Sequence, residues 1–176
     1  MTQYARPDSD VSNDGSWEAS AGSDLYALID ESSTDDSDYV QVGGQPYDAI
    51  FVVTLSDVTD PSSAADHKVY YRASYDGGFG SLTVVLLETT TARATSVNED
   101  ISDSITQYEF TLTSGEANSI TNYNNLRLSF SWLDETESGV VGRVTQAWFQ
   151  CPDDGGGAGA DAVPVSLNTY RQMREN

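Results

Sequence analysis

The chain has one cysteine, Cys151, one histidine, His67, and one lysine, Lys68. A single cysteine excludes an intrachain disulfide. Thiol catalysis would have to draw its base from His67 alone, and nothing in the sequence suggests the nucleophile–base geometry it requires. Cys151 follows the apolar run AWFQ and reads as a buried structural thiol. No apolar run approaches the ~20 residues of a membrane-crossing helix. The opening MTQYARPDSD has no apolar core of the kind a secretory signal carries. The patterns GxxxxGK[ST], GxGxxG, CxxC and HExxH are missing, so no phosphate cradle, dinucleotide fingerprint or zinc helix is signalled.

Positive charge is also scarce. Eight Lys and Arg face 28 Asp and Glu, for a formal net charge of -20. Nucleic acid and anionic membrane would be repelled as primary partners. The acids are spread along the chain, so in dilute buffer the surface repels itself. In molar salt the screening length falls to about 3 Å and that repulsion mostly vanishes. Dispersed carboxylates with almost no lysine resemble the composition of haloarchaeal proteins.

A length of 176 residues suggests one domain with tails. Residues 1–16 are polar and read as an N-terminal arm. Residues 17–151 hold the apolar segments. PDDGGGAGADAVP, residues 152–164, has linker composition. Residues 165–176 form a C-terminal tail with Tyr170, Arg171 and Arg174, whose local positive character suits docking on an acidic surface.

The central pattern is β. DAIFVVTLS, HKVYYRASY, SLTVVLLE, QYEFTLT, NLRLSFSWL and VVGRVTQAWFQ are rich in Val, Tyr, Phe, Thr and Leu, and several alternate with period two. Val69, Tyr71 and Ala73 point one way, and Tyr70, Arg72 and Ser74 the other. LYALID and DYVQV read as two shorter strands, and the glycines of YDGGFGS as a hairpin connection. Thr113 or Ser114 can cap one helical turn, with Ile120 turned inward. The expectation is all-β: an antiparallel, jelly-roll-like β-sandwich of about eight strands with one short helix.

Acidic clusters supply the candidate metal sites. Asp35, Asp36 and Asp38 offer oxygens without the glycine or bidentate Glu of a calcium loop. Asp8, Asp10 and Asp14 approach a DxDxDG loop but fail in register at Ser12, Asn13 and Ala19. Structural calcium or another cation is the only cofactor considered, and solvated turns are the alternative. Glu88, Glu109, Asp134 and Glu135 lie near strand ends, but no pair can be placed across a sugar cleft at the spacing a glycosidase needs. No catalytic residue is named. Trp132 and Trp148 fall in phase with apolar neighbours and read as core; Trp17 reads as a cover for one end.

The order of segments carries a resemblance. WEASAGSDLYALIDE, DDSDYV, DAIFVVTLSDVTDP, HKVYYRASYDGGFGSLTVVLLE and QYEFTLTSGEANSITNYNNLRLSF follow one another over residues 17–150. This succession resembles a β-sandwich domain of virion structural proteins from tailed phages and tailed archaeal viruses. The resemblance implies a non-enzymatic virion component. With the composition it implies a virus of halophilic archaea, and with the free-standing domain a capsid-surface decoration or turret protein. Its partners would be itself, as a symmetric trimer or pentamer, and the major capsid protein or other virion proteins. Its place would be the virion, after synthesis in the host cytoplasm. The alternative is a receptor-binding, glycan-binding module on a tail or spike; a glycan-active enzyme comes third.

Overall fold

Alternation of apolar and polar residues builds two antiparallel sheets that face each other. The computed structural model describes residues 1–43, 49–76, 80–98, 101–134 and 141–153, with the side chains of 80 and 134 excepted. Within them lie eleven strands: β1 Thr2–Ala5, β2 Pro7–Asn13, β3 Trp17–Ala19, β4 Val40–Val42, β5 Ala49–Leu55, β6 Lys68–Asp76, β7 Gly80–Glu88, β8 Thr91–Asn98, β9 Thr106–Thr111, β10 Leu126–Asp134 and β11 Val141–Pro152. The six-stranded sheet runs β3-β4-β11-β6-β9, with β1 pairing the far end of β11. The five-stranded sheet runs β2-β5-β10-β7-β8. The expected all-β antiparallel sandwich is the fold found.

The inward positions of both sheets close one core. Phe51 and Phe130 stack at 4.8 Å, and Trp17 tilts against Phe51 at 4.6 Å. Trp132 meets Tyr75 at 5.1 Å. Each such fully buried large apolar side chain contributes about 1.5–3 kcal/mol of transfer free energy. Gly142 makes room for this packing: a Cβ there would sit 2.8 Å from the Trp132 ring.

The one α-helix among the described residues, α1 Ser114–Ser119, forms where the capping pattern places it. The Thr113 hydroxyl accepts from the Glu116 amide at 3.2 Å, and the Glu116 carboxylate accepts from the Thr113 amide at 2.7 Å. Ile120 is buried just beyond it.

Several elements differ from the sequence expectation. Residues 1–16 are not a free arm: β1 joins β11 and β2 joins β5, so the segment contributes an edge strand to each sheet. Polar residues suffice there because much of an edge strand is wet. LYALID is not a strand. Tyr26–Leu28 form a 3-10 turn, and the amides of Leu25, just before it, and of Tyr26, its first residue, both donate to the Asp10 carboxylate at 2.8 Å. YDGGFGS does not close a hairpin, since the strands it joins lie in opposite sheets. The hairpin is β7–β8, with Thr89 at a positive φ of 58° in its tight turn. Linker and tail residues 154–176, with Tyr170, Arg171 and Arg174, lie outside the described residues.

Candidate functional site

The site is built on the outer face of the six-stranded sheet, and an irregularity in β11 creates it. The β11–β6 register shifts between Val144 and Gln146. A bulge of one residue moves every later side chain to the opposite face. Gly142 and Val144 point inward before it; Ala147, Phe149 and Cys151 point inward after it. Trp148 is therefore not a core residue, contrary to the phase of its apolar neighbours. It lies on the outer face, opposite Tyr70 in the register.

There it forms a stack. The Trp148 and Tyr70 rings lie 4.9 Å apart at an interplanar angle of 14°. The Arg6 guanidinium sits 5.6 Å from the Trp148 ring, and the Lys68 ammonium 5.8 Å from the Tyr70 ring. Lys68 also pairs with Glu109 at 2.9 Å. Cations over aromatic faces are stabilising, more so where water is excluded.

The acidic stretch that follows the 3-10 turn lies across the same face. Asp36 accepts a forked pair from Arg72, at 3.1 Å from Nε and 2.7 Å from the terminal nitrogen. It also accepts from Thr145, the bulged residue, at 2.9 Å. The Arg72 fork, with help from Thr145, holds the Asp36 carboxyl below its ordinary range. The Glu31 carbonyl accepts from Arg6 at 2.5 Å and from Gln146 at 2.7 Å. The Glu31 carboxyl behaves oppositely. Burial, with smaller contributions from Asp38, Asp30 and Asp35, pushes it up to about 7.

Beside this clasp lies a groove of about 440 Å³ lined by Tyr4, Arg6, Ser32, Ser33, Thr34, Gln146 and Trp148. Tyr4 comes from β1 and is 51% exposed. The lining thus combines two aromatic walls, three hydroxyls, an amide and a guanidinium. Among the described residues, no carboxylate lines it. This is the composition of a site that binds through apolar contact and directed hydrogen bonds.

A second groove, about 470 Å³, opens at one end of the sandwich between residues 57–60 and 121–124. Its polar groups are largely committed. The Gln3 amide bonds the Thr59 and Pro152 carbonyls, and Asp60 accepts from Ser62. The Tyr123 hydroxyl turns inward to His67 at 2.7 Å. The other His67 nitrogen, Nδ1, faces the Ala65 carbonyl at 2.9 Å, which can only accept, so the proton sits there. Burial pushes the Cys151 thiol up to about 12, which suits an inert core group.

The six aspartates proposed as ligands are each placed by the fold. Asp8 accepts from Thr54, Asp10 caps the 3-10 turn, and Asp14 holds Ser16 and Ile50 amides. Asp35 caps Ser37, Asp36 holds Arg72, and Asp38 carries an enclosed oxygen without a partner. Among the described residues, no three His, Cys, Asp or Glu groups gather where they could hold a metal ion. The carboxylates considered for glycoside hydrolysis do not converge either. Glu88 bonds Arg93 and Thr121 at the end of β7, while Glu109 is on β9 in the other sheet. The Asp134 side chain and Glu135 lie outside the described residues.

No protein-family model and no curated protein sequence matches the chain. Among solved structures, it is similar to a galactotriose complex of TmCBM61, at 7% identity and TM-score 0.44, covering 86% of this chain and 88% of that one. It is similar to the xylan-binding module CBM15 at 11% identity and TM-score 0.41, covering 87% and 98%. The K3 adhesin domain of Lys-gingipain from Porphyromonas gingivalis shares 9% identity at TM-score 0.45, covering 85% and 99%. At these identities and scores no ligand or role is carried across.

Proposed function

We propose that this sandwich is a non-catalytic recognition module that binds neutral glycans in the groove beside Trp148. The observation that carries the reading is the lining itself. In a chain of net charge -20, the described residues of this concavity supply aromatic walls and hydrogen-bonding groups but no carboxylate. Tyr4 offers ring surface for the apolar face of a sugar, and the Trp148 edge closes the far wall. Arg6, Gln146 and the Ser32–Thr34 hydroxyls provide donors and acceptors for sugar hydroxyls. Acidic polysaccharides are disfavoured by the charge of the whole molecule. The described residues of the groove hold no acid pair for hydrolysis.

The test is titration of the purified chain against a panel of soluble neutral and acidic polysaccharides. Binding to at least one neutral glycan is expected, with a loss of tenfold or more in Tyr4→Ala and Trp148→Ala. Absence of binding across the panel, or binding indifferent to both substitutions, would overturn it.

A second reading, a capsid-surface decoration protein of a halophilic archaeal virus, rests on the segment order of residues 17–150. Copy number in purified particles tests it. Hundreds of copies per particle support decoration; a handful, or none, counts against it.

A further inference from the structure

The outer face of the five-stranded sheet is unlike the rest of the molecule. No outward position of β5, β7, β8 or β10 holds an Asp or Glu, although the chain has 28. The outward side chains are instead aliphatic or hydroxyl-bearing. Ile50 is 38% exposed, Leu133 37% and Val97 57%, while Val52, Val85 and Leu87 are half-buried between them. The registers line these up across the strands: Ser129 lies between Val52 and Val85, and Arg127 beside Leu87. Among the described residues, Arg127 is the only charged one at these outward positions, and it makes no ion pair among them; the nearest acid, Asp8, lies on the edge strand β2, where it accepts from Thr54.

We propose that this face is where a second copy of the chain docks, sheet against sheet, about a two-fold axis. Charge selects the occupant. A basic partner would be drawn to any of the carboxylate-rich surfaces and would gain nothing from a face cleared of acids. A partner that is itself strongly acidic needs that clearing, because like charges brought together in an interface cost heavily. Another copy is such a partner. The small, alternating Val, Ser and Thr side chains suit the ~10 Å spacing of stacked sheets. A four-strand face of this length covers roughly 500 Å² per copy, or about 1,000 Å² in total, the lower end of specific interfaces. The dimer is therefore weak and depends on salt, since each copy carries a net charge of -20. The inference is independent of the glycan reading, whose groove lies on the opposite sheet.

Sedimentation equilibrium of the full chain at ~0.1 M and ~1 M KCl tests it. Monomer is expected at low salt and dimer at high salt. Val97→Asp and Thr95→Asp, both at exposed positions, should remain monomeric at high salt with unchanged circular dichroism. Tyr4→Asp, on the other sheet, should dimerise as the parent does. A monomer at both salts, an assembly larger than two, or a dimer that survives both β8 substitutions or breaks with Tyr4→Asp would overturn the proposal.

Discussion

The two sheets share a core but treat their outer faces in opposite ways. The six-stranded sheet carries Lys68, Tyr70, Arg72, Arg143 and Trp148 outward, and neighbouring side chains hold them in place. Lys68 meets Glu109, Arg72 meets Asp36, Arg143 lies 4.9 Å from the Tyr39 ring, and Trp148 is packed between Tyr70 and Arg6. Strands β5, β10, β7 and β8 of the five-stranded sheet carry aliphatic and hydroxyl side chains outward with one base and no acid, and the carboxylate nearest to them, Asp8, sits on the edge strand β2. The first face is fixed by long side chains locked in one geometry, which suits a site. The second is smooth and loses little rotamer entropy on being covered, which suits an interface.

Truncation to alanine should cost much more on the first face than on the second. Trp148→Ala removes a ring stack and a cation contact and should destabilise by about 2 kcal/mol. Val97→Ala on the other face should stay within ~0.5 kcal/mol. Urea denaturation of both variants at one salt concentration checks this, and equal losses would erase the distinction.

Asp36→Ala comes next. It strips Arg72, whose side chain is 16% exposed, of both fork bonds and Thr145 of its acceptor. The cost should be about 1–2 kcal/mol, because a partly enclosed guanidinium is left without a partner. Ser129→Ala, at a comparable depth on the opposite sheet, should be near neutral. Hydrogen exchange should quicken at residues 30–39 in the first variant and be unchanged in the second.

The pH dependence probes the first face through Glu31. Glu31 is raised from 4.5 to about 7, so the folded state holds a proton that the unfolded chain releases at lower pH. Its contribution to stability is complete below about 4.5 and is lost as pH rises through about 7. His67 opposes it: burial lowers its pKa, so its contribution is lost as pH falls below its ordinary 6.5. The difference between the parent and Glu31→Gln isolates the Glu31 share. The glutamine variant should gain relative stability as pH rises across that window, and a pH-independent difference would refute the burial of Glu31.

How far this was legible follows from the same contrast. The inner faces announce themselves by strict alternation, as in Leu126, Leu128, Phe130 and Trp132, and so did the capped turn at Thr113–Glu116. The five-stranded outer face was also readable, as the Ser and Arg between those residues. The candidate site was not. Trp148 appeared to continue the Val144 phase, and only the paired polar residues Thr145 and Gln146 before Ala147 hinted at the bulge that reverses it. Tyr4 lay in a segment too polar to look like a strand. Asp36 was one of many loop acids, and its forked bond to Arg72 spans 36 residues of separation that composition does not encode. LYALID held Leu25, Leu28 and Ile29 at helical spacing, which was the available clue against a strand.

The smallest expected effect grades the first face against itself. Lys68 and Glu109 pair at 2.9 Å with side chains 29% and 46% exposed, while Arg72 and Asp36 pair at 2.7 Å with 16% and 34%. An exposed pair gains little Coulomb energy, loses side-chain freedom and is screened by salt. A forked pair with a third hydrogen bond from Thr145 is fixed by geometry as well as charge. Double-mutant cycles at low and molar salt should therefore separate them. The Lys68–Glu109 coupling should be detectable at low salt and vanish at high salt, whereas the Arg72–Asp36 coupling should persist in both. If both couplings vanish together, the clasp over the groove is ordinary surface pairing. Its place at the β11 bulge would then owe nothing to the carboxylate at Asp36.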